Sequence, residues 1–168
     1  GDGTTIGRSL PGPVAEVDDL SVVSVSVGDS HTCAVYDDGT ARCWGSNEGG
    51  QLGDGGFDSR SKPGTAIDLD GAKVAEIAAG SEHTCALLED GTVRCWGTNL
   101  VGEVGSSPTG VIVTTPAPPV DVGEGRRAIT ISTGGRTSCA VLDDGTANCW
   151  GANFNGTVGD GSGIDRTA

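Results

Sequence analysis

A fifteen-residue segment occurs three times in this chain, and its repetition constrains the possible folds more than any other feature. The copies occupy residues 31–45, 83–97 and 137–151, and they start 52 and 54 residues apart. Each copy contains two cysteines ten positions apart, an acidic pair followed by Gly-Thr, and a final Cys-Trp-Gly. Self-similarity at a fixed period of this length is typical of repeat architectures, so we expect an array of similar units.

Each copy predicts one β-hairpin. In the first copy, two short runs of β-branched, aromatic and small residues, 32–36 and 40–44, flank an Asp-Asp-Gly loop that ends at Gly39. A three-residue loop with glycine last favours a type I turn followed by a left-handed residue, because glycine tolerates positive φ. Counting outward from this loop pairs Cys33 with Cys43, at the Cα separation of about 4.5 Å that a non-hydrogen-bonded antiparallel pair has.

The same count pairs the remaining cysteines, and we therefore predict three disulfides, each within one hairpin. The pairs are Cys33 with Cys43, Cys85 with Cys95, and Cys139 with Cys149. The alternative is six free buried thiols in a reducing compartment. A zinc site is disfavoured because the cysteines of a pair are much farther apart than the ligand pairs of structural zinc sites. Disulfides predict an extracellular, periplasmic or cell-surface protein.

Composition narrows the classes of partner. The net charge of -13 and the isoelectric point near 4.2 argue against DNA, RNA and anionic membranes, which bind basic surfaces. No apolar run is long enough to span a bilayer. The 30 glycines recur at fixed places beside β patterns, so they indicate tight turns and not a disordered linker. The chain starts with glycine and contains no methionine, which predicts a mature or excised segment of a longer precursor.

Each period offers four candidate strands, and no segment has helical periodicity. The candidates are residues 14–17, 22–27, 32–36 and 40–44, then 65–68, 74–79, 84–88 and 92–96, then 119–122, 128–133, 138–142 and 146–150. Four short strands per period predict an all-β fold, a β-propeller of four-stranded blades. We divide the single repeat domain 1–168 into blades 14–44, 65–96 and 119–150 and connectors 1–13, 45–64, 97–118 and 151–168.

The repeated residues resemble those of a known family. The pattern Gly-x-x-His-Thr-Cys-Ala-Val, Asp-Gly-Thr, Cys-Trp-Gly-x-Asn and Gly-Gln-Leu-Gly-Asp-Gly is similar to the regulator of chromosome condensation repeat, whose best-known members are seven-bladed propellers. The chain resembles most the cysteine-bearing version of exported bacterial proteins. The third copy departs from the pattern at Thr137 and at residues 156–159. Nucleotide exchange on a small GTPase, the nuclear activity of the family, does not carry over to a chain this short and acidic.

Three blades form a partial propeller or an open arc, because the smallest ordinary propellers have four. An open arc leaves apolar blade faces exposed to water. We therefore expect either a fragment of a longer propeller or a homo-oligomer in which copies of the chain cover these faces.

Several recurring residues are predicted to be structural. The tryptophans are expected to pack between blades and the asparagines to hydrogen-bond a turn backbone, and these residues are Trp44, Trp96, Trp150, Asn47, Asn99 and Asn153. His31 and His83 occupy equivalent places, and the third copy has Thr137 there. We interpret these two histidines as packing residues and not as catalysts.

We predict no catalytic, cofactor-binding or metal-binding residue. The acidic loops lack the ligand pattern of a calcium site, and turn chemistry explains them. No nucleophile elbow, zinc-protease motif or phosphate-binding loop occurs in the sequence. A carbohydrate-active enzyme remains one alternative, because carboxylates are abundant, and weak calcium or glycan binding stays open. A dedicated protein inhibitor of propeller type is the other alternative.

Variation among the copies gives the one internal indication of function. In the constant frame Asn-x-x-Gly, the residue after asparagine is Glu48, Leu100 or Phe154. A position that accepts such different residues is expected on an exposed loop, where propellers usually bind partners, although surface drift without a ligand also explains it. Phe57 and Asp58, with the longer connector 106–118, form a second variable rim. We predict a non-catalytic protein-interaction or structural module that binds a protein or copies of itself.

Overall fold

The computed structural model describes residues 1–15, 17, 19–106 and 108–167. Their strands form three antiparallel sheets, one per repeat, in the orders β1-β2-β3, β4-β5-β6-β7 and β8-β9-β10. No helix in these ranges is long and apolar enough to cross a membrane. The elements are β1 (Val22–Val27), β2 (His31–Tyr36), β3 (Ala41–Gly45), β4 (Val74–Ala79), β5 (His83–Leu88), β6 (Val93–Asn99), β7 (Val111–Val113), β8 (Ala128–Gly134), β9 (Thr137–Leu142), β10 (Ala147–Gly151) and a 3₁₀ turn at Phe154–Gly156.

The three predicted hairpins form in the predicted register. Cys33 is opposite Cys43 in the first hairpin, and the other two cysteine pairs face each other in the same way. All three disulfides are present, with Cα separations of 4.0 to 4.1 Å. Gly39 has a φ of 82°, and its amide donates to the Tyr36 carbonyl at 2.9 Å. Glycine is required there because this conformation is left-handed.

The inner strands β1, β4 and β8 of successive sheets lie side by side. Polar side chains join them, since Ser26 Oγ accepts from the Ala79 amide at 3.0 Å and the Glu76 carboxylate accepts from the Ile131 amide at 3.0 Å. Each inner strand has a bulge after its first residue. The sheets are therefore arranged in series around one side of an arc.

The segments predicted as first strands do not form regular strands. Residues 65–68 and 119–122 instead lie along the third strand of the preceding sheet, β3 or β6, where the Ile67 amide donates to Ala41 and the Val120 amide donates to Val93, both at 2.9 Å. Prolines around these segments remove the donors that a continuous ladder needs. The prediction at 14–17 lies partly outside the described residues.

The fourth strand of the second sheet is β7, which the sequence did not predict. It pairs with the end of β6 inside the connector 97–118. The blade limits 14–44, 65–96 and 119–150 remain a prediction.

The apolar core lies between the sheets, and the disulfides are part of it. Ile77 on β4 packs in one cluster with Cys33 and Cys43, and Ile131 on β8 packs in another with Cys85 and Cys95. The equivalent residue of the first sheet, Val25, is covered by none of the three sheets that the structure describes. Its exposure is 59%, against 5% for Ile77. The arc is therefore open at its first face.

Candidate functional site

One buried asparagine organises the loop at the end of the third strand of each sheet. Asn47 accepts from the Leu52 amide at 2.9 Å through Oδ1 and donates to the Gly56 carbonyl at 3.1 Å through Nδ2. Asn99 and Asn153 each accept from the amide five residues later, at 3.0 Å. These bonds close the loop from inside, so the loop keeps its shape while the residue after asparagine varies.

The residue after each of these asparagines points into solvent. Glu48 is exposed, and the exposures of Leu100 and Phe154 are 52% and 63%. The three positions follow equivalent strands and lie at the same rim of their sheets. We call Glu48, Leu100 and Phe154 the rim positions. Their side chains stabilise no core and are available for contact.

The second predicted set is also exposed. Phe57 and Asp58 lie on the surface of the loop that follows Asp54. The connector 106–118 contains β7 and, among its described residues, exposed Ile112. These side chains extend the same end of the array.

Trp96 and Trp150 lie between the sheets. Trp96 Nε1 donates to the Gln51 carbonyl of the preceding repeat at 2.9 Å, and Trp150 Nε1 donates to the Glu103 carbonyl at 3.0 Å. Gly53 lies against the Trp96 ring, where an added Cβ would be 2.6 Å from Nε1. Gly1 lies against Trp44 in the same manner. The N-terminal residues thus cover Trp44 as the connectors cover the later tryptophans.

Each buried histidine joins its own sheet to the next. His31 Nε2 lies 2.8 Å from Thr84 Oγ1, and the Thr84 hydroxyl donates to the Gln51 carbonyl at 2.8 Å. Since that hydroxyl has only one proton, the histidine must donate through Nε2–H. His83 and Ser138 repeat this arrangement at 2.9 Å.

Both histidines are neutral near pH 7. Burial lowers the pKa of His31 from 6.5 to about 4, and burial likewise lowers the pKa of His83 to about 4. The sequence indicated packing residues but not these links, because the partner hydroxyls lie more than fifty positions away. Thr137 in the third repeat donates instead to Ala152 of its own repeat at 2.7 Å.

The acidic hairpin loops use their carboxylates to hold the turn. Asp38 accepts from the Thr40 amide at 2.9 Å and from its hydroxyl at 2.7 Å. These bonds lower the pKa of Asp38, and bonds from Thr92 and Thr146 lower the pKa of Asp90 and Asp144. Across the described residues, no group of three or more His, Cys, Asp and Glu side chains could hold a metal ion. The geometry here favours a rigid scaffold that presents side chains.

A comparison with protein-family models decides the family. The model described as the regulator of chromosome condensation (RCC1) repeat matches residues 22–51, 74–103 and 128–157, and a second model of the same description matches 38–87. The chain belongs to the RCC1 repeat family. Its three sheets are blades of an incomplete RCC1-type β-propeller, as the sequence predicted.

Known relatives are much longer than this chain. The probable E3 ubiquitin-protein ligase HERC6 of Homo sapiens is 32% identical over 152 residues, which are 89% of this chain and 15% of that protein. The structure of Prp20p from Saccharomyces cerevisiae, described with its binding to Gsp1p and histones, matches with a TM-score of 0.78 at 25% identity and covers 88% of this chain and 37% of that one.

A third relative is extracellular. The entire ectodomain of the Physcomitrella patens receptor kinase CR4 matches with a TM-score of 0.55 at 27% identity, over 86% of this chain and 34% of that chain. The chain is therefore similar in structure to an ectodomain as well as to Prp20p.

Proposed function

We propose that this chain is a non-catalytic protein-binding module of an exported protein, and that the rim positions contact the partner. The observation that carries the proposal is the contrast within each loop between a fixed, buried asparagine and an exposed neighbour of variable chemistry. A binding surface needs different side chains on a rigid frame. Glu48, Leu100 and Phe154 meet this requirement, and Phe57 and Asp58 enlarge the surface.

The frame is rigid for two reasons. Each hairpin is closed by a disulfide, and each rim loop is closed by an asparagine that replaces backbone partners. A loop that is already ordered loses little conformational entropy on binding, which favours contact through its two exposed apolar side chains and one carboxylate. Prp20p, which has the same fold, is described as binding Gsp1p and histones, and this supports a protein as the partner class.

The disulfides support an oxidising compartment as part of this proposal, since such bonds form and persist outside the reducing cytosol. The match to the CR4 ectodomain supports the same assignment. Alkylation of free thiols in intact cells tests it, because native protein from an exported location should contain no alkylated cysteine. Extensive labelling of the six cysteines would contradict export.

The rim is tested by replacing Glu48, Leu100 and Phe154 with serine together. The matched control is Ile129→Ser, since Ile129 is equally exposed but lies near the start of β8, at the opposite rim. A partner crosslinked through a photoreactive residue at position 154 is first identified, and its affinity for the purified variants is then measured. We expect at least tenfold weaker binding by the triple variant and unchanged binding by the control, with equal melting temperatures.

Two results would contradict the proposal. Equal partner affinity of the triple variant and the wild type would exclude the rim positions. A turnover activity that disappears when one histidine or carboxylate is replaced would show an enzyme.

We also propose that the chain associates with copies of itself through its open end faces. Val22, Val25 and Val27 of β1 are exposed, whereas the equivalent Val74 and Ile77 of the second sheet are buried by the first. Within this chain, the preceding sheet covers the equivalent face of the second sheet and of the third sheet. A blade of another copy would cover the exposed face of β1 in the same way.

A further inference from the structure

Three of the four connectors contain the same ion pair. In each of them an aspartate that follows a glycine binds an arginine six residues later in the chain. The pairs are Asp2 with Arg8, Asp54 with Arg60, and Asp160 with Arg166. This ion pair is therefore the usual way in which the chain closes a connector.

The connector that contains β7 has neither member of the pair. Ser106 occupies the place of the aspartate, and within the described ranges its Oγ is buried without a hydrogen-bond partner. Val113 occupies the place of the arginine, since it lies opposite Gly97 as Arg60 lies opposite Gly45. Val113 is half-buried and packs against two apolar clusters of the core, so this valine stabilises the fold.

Ile112 is a further departure from the other connectors. They have Gly7, Ser59 and Asp165 at this place, and the last two accept from the amide of the buried asparagine, at 3.1 and 2.8 Å. Isoleucine cannot accept this bond, and Ile112 is 45% exposed. Since the residue contributes neither the usual hydrogen bond nor a fully buried side chain, its aliphatic surface indicates a contact outside the chain.

Two more aliphatic side chains lie beside Ile112. Val111 is 39% exposed and lies opposite Asn99 in the ladder, and exposed Leu100 follows that asparagine. We call Leu100, Val111 and Ile112 the β7 corner. The second sheet has a neighbouring sheet on each side within this chain, so the exposure of the corner does not come from an uncovered blade face. Adjoining apolar residues at a surface are typical of an interaction site.

Two carboxylates border the β7 corner. A Cβ at Gly50 would lie 3.1 Å from Ile112 Cγ2, so the loop that carries Glu48 lies against the corner. Glu82 accepts from the hydroxyl of Thr98, the residue opposite Ile112, at 3.3 Å. Both glutamates are exposed, and neither forms an ion pair within the part of the chain that the structure describes. The corner is therefore apolar with a negative border.

We propose that the β7 corner binds a basic amphipathic segment of a partner protein. Aliphatic side chains of the segment cover the corner, while flanking lysine or arginine side chains pair with Glu48 and Glu82. Apolar burial supplies most of the affinity, and complementary charge orients the segment. Arg60 and Arg136 do not compete for these glutamates, because each is paired with another carboxylate. This inference rests on the proposed function, since Glu48 and Leu100 are rim positions, and it specifies the chemistry of the partner.

Short synthetic peptides of equal length are the probes. They carry fluorescein and alternate lysine with leucine, lysine with serine, or glutamate with leucine. Fluorescence anisotropy measures their binding to the oxidised chain at about 0.15 M salt, where charges more than about 8 Å apart are largely screened. We expect the Lys-Leu peptide to bind at least tenfold more tightly than the Lys-Ser peptide, which lacks aliphatic side chains, and than the Glu-Leu peptide, which is repelled.

Matched variants locate the binding. Ile112→Ser copies Ser59 of the first connector, and it should weaken binding of the Lys-Leu peptide about tenfold without affecting the Lys-Ser peptide. Glu82→Gln keeps a hydrogen-bond acceptor and should weaken binding of both lysine peptides about threefold, as expected for an exposed ion pair. The controls are Ile129→Ser and Glu89→Gln, exposed residues that line one groove at the opposite rim, and they should change neither affinity.

Several results would overturn the proposal. They are no saturable binding of the Lys-Leu peptide, equal affinity for the Lys-Leu and Lys-Ser peptides, equal affinity for the Lys-Leu and Glu-Leu peptides, and equal effects of Ile112→Ser and Ile129→Ser. The peptides are compared on the unchanged protein, so three of these results do not depend on the folding of a variant.

Failure of the rim function is a different result. In that case the triple serine variant of the rim would bind its crosslinked partner like the wild type. If the triple variant instead loses this partner while Ile112→Ser and Glu82→Gln bind it with full affinity, the proposed function stands and the inference about the β7 corner is wrong.

Discussion

Arg136 of the third repeat donates through Nε to the carboxylate of Glu103 in the second repeat, at 2.7 Å, and its Nη2 lies 2.6 Å from the same oxygen. Glu103 is fully buried and also accepts from the Val101 amide at 2.8 Å. The first repeat has Gln51, a neutral residue, in the same place and equally buried. The second boundary between sheets therefore holds a charge that the first does not.

Removal of the cation should destabilise the chain more than removal of the pair. We expect Arg136→Met to lower the free energy of unfolding by about 3 kcal/mol, because the buried carboxylate loses its partner. Adding Glu103→Gln, which copies Gln51, should restore most of that loss. Urea denaturation of the single and double variants measures both effects. Equal destabilisation by the two variants would show that packing of Arg136, and not its charge, stabilises this boundary.

Stability should fall as the pH is lowered from 6.5 to about 4. Burial lowers the pKa of His31 and His83 from 6.5 to about 4, so in this window the unfolded chain binds more protons than the folded chain. Protonation therefore favours unfolding, by about 3 kcal/mol per histidine once the pH is below the folded value. Thermal melting at half-unit pH intervals follows the loss.

The third repeat suggests the control for this pH dependence, because it has Thr137 where the others have histidine. The double variant His31→Thr and His83→Thr should be nearly insensitive to pH between 6.5 and 4. Below that window both proteins should lose stability, since the lowered pKa of Asp38, Asp90 and Asp144 means that their turn bonds fail only when these carboxylates are protonated. An equally steep loss in the double variant above pH 4 would exclude the histidines.

Gly53 and Gly55 form a matched pair for testing the tryptophan contact. Both have left-handed φ angles, 73° and 83°, so an alanine costs about 1 kcal/mol at either position. A Cβ at Gly53 would meet the buried Trp96 ring at 2.6 Å, whereas at Gly55 the nearest atom is 3.7 Å away. We expect Gly53→Ala to lower the free energy of unfolding by about 3 kcal/mol and Gly55→Ala by about 1 kcal/mol. Equal losses in chemical denaturation would show that the ring moves freely.

The three disulfides should differ in their rate of reduction under native conditions. Cys33–Cys43 and Cys85–Cys95 are buried between sheets, while Cys139–Cys149 lies partly exposed on the last sheet. A dissolved thiol reaches an accessible bond first. We expect Cys139–Cys149 to be reduced at least tenfold faster, as measured by alkylation and peptide mapping at timed intervals. Mapping without reduction should recover only these three pairs, and cross-repeat pairs or equal rates would contradict the register or the exposure.

Self-association is tested at Val25, the exposed counterpart of buried Ile77. Light scattering of the oxidised wild type should show association that increases with concentration, and Val25→Glu should weaken it about tenfold without lowering the melting temperature. Ile129→Glu is the control, since this position is exposed in all three sheets and lies outside the blade interface. A stable wild-type monomer at every concentration would contradict the proposal.

Local features of this chain could be predicted from sequence. The hairpins, their register and the disulfides depend on contacts within eleven residues, and three copies gave three independent counts of the same spacing. The exposure of Glu48, Leu100 and Phe154 was predictable because three copies of one loop differed at one place.

Contacts between repeats were not predictable in the same way. Residues 65–68 have a strand-like pattern, but the pattern does not indicate whether they pair with the preceding or with the following sheet. Backbone hydrogen bonds from the Gly64 and Ile67 amides to β3 place this segment on the preceding sheet. The hydrogen bond from His31 to Thr84 joins positions 53 apart, and neither residue alone indicates its partner. The charge pair of Glu103 and Arg136 occurs at one boundary only among the described residues, so repetition gave no signal for it.

Because every disulfide lies within a single hairpin, nothing covalent except the backbone connects one blade to the next. If the chain is stretched from its two ends, the blades can separate and unfold while every disulfide stays intact. Each disulfide then keeps a loop of ten residue steps closed under the applied force. About 35 Å of contour length per blade stays hidden in this way. The bridges thus shorten the extended molecule without linking one blade covalently to the next, and a reductant would lengthen it.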